Sequence, residues 1–140
     1  MAMRTSKVDV WAATILDRPG GLHEKLQPLV EAGVELHFVI ARRSQDSSGE
    51  GTVFLTPLRG TRQINAAKKA GLKKIEHMQT LRVEGDDRPG LGAELTRKLA
   101  EAGINLHGLS AAAIEGKALA YISFDSAEDA NKAARLIRRM

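Results

Sequence analysis

An internal repeat constrains this sequence more than any other feature. The tetrapeptide Asp-Arg-Pro-Gly occurs at residues 17–20 and again at residues 87–90, an offset of 70 positions. Further matches at this offset are Glu24 with Glu94, Leu29 with Leu99, residues 31–33 with 101–103, Leu36 with Leu106, and His37 with His107. A solenoid repeat usually spans about 20–50 residues, so this longer period indicates two duplicated small domains. We predict domains at residues 1–77 and 78–140.

Both copies show the same predicted order of strands and helices. In the first copy, apolar patterning predicts strands at residues 8–16, 34–43, 52–58 and 72–78, and helices at residues 21–32 and 61–70. In the second copy it predicts strands at residues 80–84, 104–114 and 118–124, a helix from Leu91 to Gly103, and a helix capped by Ser126. The order β-α-β-β-α-β is that of an α+β, ferredoxin-like domain, in which an antiparallel sheet carries helices on one face.

The second copy lacks an obvious last strand, because the sequence ends soon after its second predicted helix. One edge of the second sheet would then be unpaired, and an unpaired edge favours association with another chain. We therefore expect a homodimer. The alternative is that the edge is filled inside the chain, by strand exchange between the two halves.

Composition narrows the classes of protein to be considered. The chain has 140 residues and no cysteine, which excludes disulfides, thiolate metal sites and thiol catalysis. No apolar run approaches the roughly 20 residues that cross a bilayer, and the N-terminus lacks a signal-peptide pattern. These features predict a cytoplasmic protein without a membrane partner. The net charge is +4, with basic residues crowded at 59–74 and 135–139, which fits either a solvated helix face or a nucleic-acid surface.

The repeated tetrapeptide lies where a strand gives way to a helix. A helix start offers unpaired N–H groups and the positive end of the helix dipole, which suit a carboxylate or phosphate. Glycine at Gly20 and Gly90 lets a ligand approach the backbone closely. The alternative is a sharp Pro-Gly turn with aspartate as a helix cap. Duplication copies turns as faithfully as sites, so the repeat does not decide between these two interpretations.

The loop, the amphipathic helix and the following Ala-Gly-Ile-Asn at residues 102–105 resemble the ACT domain. Members of that family are small βαββαβ modules that bind amino acids or related metabolites and regulate enzymes or transcription. The resemblance implies a non-catalytic regulatory protein without a cofactor, which signals to a separate partner enzyme or regulator. It also implies that ligands bind at an interface between two ACT units.

Site residues follow from the resemblance, position by position. The loop glycine and its neighbours would hold the ligand carboxylate through backbone N–H groups, and the loop aspartate and an asparagine opening the second strand would hold the rest. In the second copy these positions are Asp87, Arg88, Gly90, Leu91, Gly92 and Asn105. In the first copy they are Asp17, Arg18, Gly20, Gly21, Leu22 and Glu35. Glu35 departs from the family's asparagine, so we expect the second site to be the functional one if only one works.

Other functions find less support in the residues. The repeated His37 and His107 are candidates for a ligand-contacting or pH-sensitive imidazole, or are partly buried or sheet-edge histidines. The histidines have no metal-ligand spacing, so we predict no metal site. RNA-recognition motifs share the βαββαβ order, but the aromatic residues here are scattered and lack their stacking pattern, which argues against nucleic acid. A purely scaffolding ACT pair is a further alternative. No nucleophile elbow, phosphate loop or paired catalytic acids are present, so we predict no catalytic residues.

Overall fold

The computed structural model describes residues 3–140 of the chain. In chain order the elements are β1 (Arg4–Val8), β2 (Trp11–Leu16), α1 (Gly21–Glu31), β3 (Phe38–Arg43), β4 (Glu50–Thr56), α2 (Gly60–Lys69), β5 (Lys73–Lys74), β6 (Gln79–Asp86), α3 (Leu91–Glu101), β7 (Gly108–Ile114), β8 (Lys117–Phe124) and α4 (Ala127–Arg138). They form two four-stranded antiparallel sheets with orders β3-β4-β2-β5 and β1-β6-β8-β7. The predicted α+β, ferredoxin-like fold is confirmed.

The chain divides into two compact units. One unit, here called the inner unit, is Asp9–Ile75. The other, here called the outer unit, joins residues 3–8 to Glu76–Met140. This division differs from the predicted one at residues 1–77 and 78–140, because the first strand of the chain belongs to the sheet of the second copy.

Strand β1 supplies the strand that the second copy was predicted to lack. It pairs antiparallel with β6, in a register that sets Arg4 opposite Glu84 and Val8 opposite Thr80. The Arg138 guanidinium of α4 also donates a hydrogen bond to the Thr5 hydroxyl, at 2.9 Å. The predicted filling of the edge inside the chain is therefore correct, and the predicted unpaired edge is wrong. The argument for a homodimer from that edge fails with it, although the homodimer itself stays a prediction.

Most of the predicted strand at residues 8–16 is β2, but its first residue, Val8, is the last residue of β1 in the other sheet, and the rest of β1 was not predicted. The chain leaves the outer sheet after Val8 and enters the inner sheet at Trp11, which pairs with β4 and β5. The two residues between these strands belong to the inner unit, where the carbonyl of each accepts a hydrogen bond. The Asp9 carbonyl accepts a hydrogen bond from the Thr56 hydroxyl at 2.8 Å. Val8 and Val10 continue the apolar alternation into β2, so the sequence showed no break at this crossing.

Each unit has one apolar core between its sheet and its helices. In the outer unit the core includes Met3, Leu81, Leu99, Ile122 and Phe124. The corresponding core of the inner unit is made by Trp11, Leu29, Val53, Leu55 and Leu72. Burial of this apolar surface is the main stabilising contribution to each unit.

The strand after each copy's first helix begins later than predicted. The predicted strands at residues 34–43 and 104–114 start at Phe38 and Gly108. Each helix is followed by a glycine, and the N–H of the next residue donates a hydrogen bond back to a carbonyl of the last helical turn. Val34 donates to Leu29 and Ile104 donates to Leu99, both at 3.0 Å. These apolar residues pack on the core as part of a helix-end turn, which apolar patterning does not distinguish from a strand.

Candidate functional site

Both Asp-Arg-Pro-Gly loops have the same backbone conformation. Gly20 and Gly90 are the N-cap residues of α1 and α3, with left-handed φ angles of 85° and 82°. A side chain is strained in this region of φ, so glycine is required by the turn itself. A β-carbon on either glycine would meet no atom within 4 Å, so both glycines face open space. The predicted close approach of a ligand to this backbone is sterically allowed in both copies.

The arginine of each loop pairs with the glutamate in the first turn of the following helix. Arg18 contacts Glu24 at 2.6 Å, and Arg88 contacts Glu94 in the same way. The hydrogen bond from Arg88 lowers the pKa of the Glu94 carboxyl below its usual range, against a smaller opposing effect of desolvation. The pair holds each guanidinium at the start of its helix, where the backbone N–H groups also lie.

The aspartates of the two loops have different surroundings. In the inner unit the Asp17 carboxylate is bound by the Arg43 guanidinium of β3, with 2.7 Å between Nε and Oδ2. In the outer unit the Asp87 carboxylate has no ion-pair partner among residues 3–140. The residue at the position of Arg43 explains the difference. Ile15 and Gly85 occupy the same position in the two copies. Two strands across the sheet, the residue in register with Ile15 is Arg43, and the residue in register with Gly85 is Ala113.

The second loop opens onto a cleft of about 350 Å³ in the outer unit. The loop and the first turn of α3 form one side of this cleft through Asp87, Arg88, Gly90, Leu91 and Gly92. The remaining wall is apolar and includes Leu95, Leu109, Ala111, Ala113, Ala118 and Ala120. The cleft therefore combines a charged mouth with a wall of small aliphatic side chains, as small-molecule sites commonly do.

Five of the six site residues predicted in the second copy line this cleft together. Asn105 does not. The helix α3 has eleven residues and is roughly 16 Å long, and Gly90 precedes it whereas Asn105 follows it. Glu35 has the same position after α1 in the first copy. Within one unit, the loop and the predicted asparagine or glutamate contact therefore lie at opposite ends of a helix.

In the first copy, two predicted ligand contacts have a packing role. Gly21 is buried, and a β-carbon there would overlap the carbonyl oxygen of Leu16. The glycine thus permits close approach of the strand and the helix. Leu22 packs, partly buried, against the core of the inner unit. In the second copy the equivalent of Gly21 is Leu91, whose side chain enters the core of the outer unit.

The repeated histidines are exposed in both copies. His107 lies 3.1 Å from the Asp125 carboxylate, and its ring meets that of His77 edge-on, with 5.9 Å between centroids. Neither His37 nor His107 lines the cleft. Among residues 3–140 no group of three or more His, Cys, Asp or Glu side chains is arranged to hold a metal ion.

The aromatic side chains leave little exposed surface on which nucleic-acid bases could stack. Trp11, Tyr121 and Phe124 are buried, with exposed fractions of 6%, 5% and 0%. Phe38 and Phe54 are half-buried. In the part of the chain that the structure describes, no helix is long and apolar enough to span a membrane.

The sequence interpretation missed the alanines that make the cleft. The run Ala111-Ala112-Ala113 on β7 and the alternating Ala118 and Ala120 on β8 put small side chains on adjacent strands. The run of alanines was visible in the sequence. Its meaning depends on the pairing register of β7 with β8, which the sequence did not show.

Residues 79–140 match the ACT domain family. The outer unit thus contains an ACT domain, and its β6–α3 loop carries the repeated tetrapeptide. No curated protein sequence matches the chain significantly.

Solved structures share the fold of the whole chain. A protein of Bacteroides thetaiotaomicron aligns with a TM-score of 0.79 and 12% identity, covering 96% of this chain and 89% of its own. The ligand-free regulatory subunit of aspartate kinase from Thermus thermophilus aligns with a TM-score of 0.69 and 17% identity, covering 99% and 96%. The corresponding subunit from Thermus flavus aligns with a TM-score of 0.65 and 19% identity, with the same coverage. At these identities the likeness establishes the fold.

Proposed function

We propose that this protein is a non-catalytic regulatory protein that binds an amino acid or a related small metabolite at the second loop. The observation that carries the proposal is the cleft of about 350 Å³ at that loop, with the Asp87 carboxylate, which has no ion-pair partner among residues 3–140, in its lining. The ACT match to residues 79–140 and the similarity to regulatory subunits of aspartate kinase support a regulatory role.

The ligand's two charged groups have complementary partners in this proposal. The ligand ammonium group pairs with the Asp87 carboxylate. Its carboxylate accepts hydrogen bonds from the N–H groups of Gly90 and Gly92, at the positive end of the α3 dipole, with Arg88 nearby, whereas the Leu91 N–H donates to the Arg88 carbonyl. This arrangement matches the charge pattern of an α-amino acid.

We further propose that the protein works as a homodimer, in which an ACT–ACT interface completes the site. Asn105 lies at the far end of α3 from the loop, so a contact from Asn105 to the same ligand has to come from a second copy of the chain. A ligand that bridges two copies favours the arrangement in which both contacts form, and this differential affinity is the signal. The signal passes to a separate enzyme or regulator that binds the dimer.

The first loop is proposed to be the weaker site. Its candidate contacts are Asp17, Arg18, Gly20 and Glu35, with the backbone at Gly21 and Leu22. Arg43 already neutralises the Asp17 carboxylate, so a ligand ammonium group must compete with a guanidinium on the same chain.

The test is a thermal-shift screen over the amino acids, followed by calorimetry on each compound that stabilises the protein. A ligand at a hundredfold excess over its dissociation constant stabilises the folded state by about 2.7 kcal/mol. Asp87→Asn should weaken binding by about tenfold or more, because a charged hydrogen bond is lost. The matched control is Asp17→Asn in the first loop, which should leave the affinity unchanged. If no amino acid or related metabolite raises the melting temperature, the sensor function is refuted.

A further inference from the structure

Two positions in the wall of the cleft have smaller side chains than the matching positions of the first copy. The strand registers of the two copies show which positions correspond. Ala113 corresponds to Arg43, and Ala120 corresponds to Val53. In the first copy Arg43 reaches across to the loop aspartate. In the second copy the alanine at 113 ends at its β-carbon and leaves that space open.

The wall of the cleft favours apolar contents. The side chains that line it away from the loop are aliphatic, including Leu95, Leu109, Ala111 and Ala113. The charged side chains that line it are Asp87 and Arg88, both at the loop. A polar side chain placed against the aliphatic wall would lose water without gaining a hydrogen-bond partner there, which is unfavourable.

The size of the cleft also limits its contents. Small-molecule sites usually have volumes of about 300–1,000 Å³. This cleft, at about 350 Å³, is at the lower end of that range. It has room for an aliphatic group beside the charged end of an amino acid.

We propose that the ligand of the second loop is an α-amino acid with a small aliphatic side chain, which lies against the alanine-lined wall between α3 and β7. This inference rests on the proposed function and narrows it to one class of ligand. Ala113 is then a specificity-determining residue, and Arg43 closes the equivalent space in the first copy.

Calorimetry on the intact protein with a graded ligand series tests the class. The series is glycine, alanine, 2-aminobutyrate, norvaline and leucine, and each added methylene should tighten binding about fourfold until the cleft is full. Valine and threonine are matched in shape, and threonine should bind about tenfold more weakly because its hydroxyl meets an aliphatic wall. Aspartate and lysine should bind more weakly than valine.

Two variants at position 113 test the location. Ala113→Arg restores the residue of the first copy and should abolish binding of every member of the series. Ala113→Val should weaken the binding of leucine at least tenfold and change the affinity for alanine by no more than about twofold. The reason is that only the larger ligand side chain meets the added methyl groups. The matched control is Ala100→Arg, which adds the same side chain to an exposed position of α3 outside the cleft.

The outcomes separate this inference from the proposed function. If threonine, aspartate or lysine binds more tightly than valine, or if Ala113→Val weakens alanine and leucine equally, the aliphatic class is wrong while amino-acid sensing stands. If no amino acid binds the wild-type protein, both are wrong. The inference is supported if affinity rises along the aliphatic series for the wild-type protein and if Ala113→Val weakens binding of only the larger members.

Discussion

The role of the N-terminal segment that contains β1 can be tested by truncating the buried side chain of Met3, which directly precedes this strand. Met3 is 6% exposed and belongs to the core of the outer unit, although it lies more than 70 residues from Glu76–Met140, the larger part of that unit. Truncating a buried methionine to alanine costs about 2–5 kcal/mol. We expect a value near the lower end, about 2 kcal/mol, because Met3 also borders the open cleft, where the neighbouring groups can relax.

Hydrogen exchange shows which unit loses this stability. A loss of about 2 kcal/mol lowers the ratio of folded to unfolded protein about thirtyfold, so the slowest amides of β6 and β8 in Met3→Ala should exchange about thirtyfold faster. The amides of β2 and β4 should keep their protection. The matched control is Val30→Ala on α1, a residue that is 64% exposed and whose truncation should cost less than about 0.5 kcal/mol.

Two results would refute this reasoning about β1. One is faster exchange in β2 and β4 with β6 and β8 unaffected, which is what a domain at residues 1–77 predicts. The other is unaltered exchange in both sheets, which would mean that Met3 does not contribute to either core.

Two further predictions concern the loops. Gly21→Ala should destabilise the inner unit in urea denaturation by more than about 1 kcal/mol, because the added β-carbon overlaps the Leu16 carbonyl oxygen; Gly92→Ala, which meets no atom within 4 Å, is the control and should not destabilise the protein. Because Arg88 lowers the pKa of Glu94 in the folded state, their pairing stabilises the protein above the usual glutamate range, and this contribution is lost as the pH falls through the lowered pKa. Arg88→Gln should raise the Glu94 midpoint in an NMR titration, and an unchanged midpoint would contradict the pairing.

The fold was predictable because the duplication presents each sequence pattern for a turn or a helix twice. The repeat of Asp-Arg-Pro-Gly set two strand-to-helix turns at equivalent places, and the spacing of leucines predicted both following helices. Ser126 was predicted to cap the last helix, and its hydroxyl accepts a hydrogen bond from the Asp129 N–H at 3.1 Å. These features are local, since each depends on residues within a few positions of one another.

The candidate site was predictable in part for the same reason. The loop residues Asp87, Arg88 and Gly90 are adjacent in the sequence and line one cleft. Their joint position follows from one turn and one helix start. The alanine wall and the closing arginine of the first copy were not predicted, because each depends on which residues face one another across a sheet.

The sequence by itself determined the duplication, the order of elements in each copy, and the backbone conformation that glycine permits at Gly20 and Gly90. Tertiary structure decided which sheet each strand joins and which of the two loops is open. Strand β1 pairs with β6 although it directly precedes the first copy in the sequence, because sheet pairing can join residues that are far apart in sequence. The same long-range pairing places Arg43 at one loop and Ala113 at the other, so two identical tetrapeptides have different surroundings.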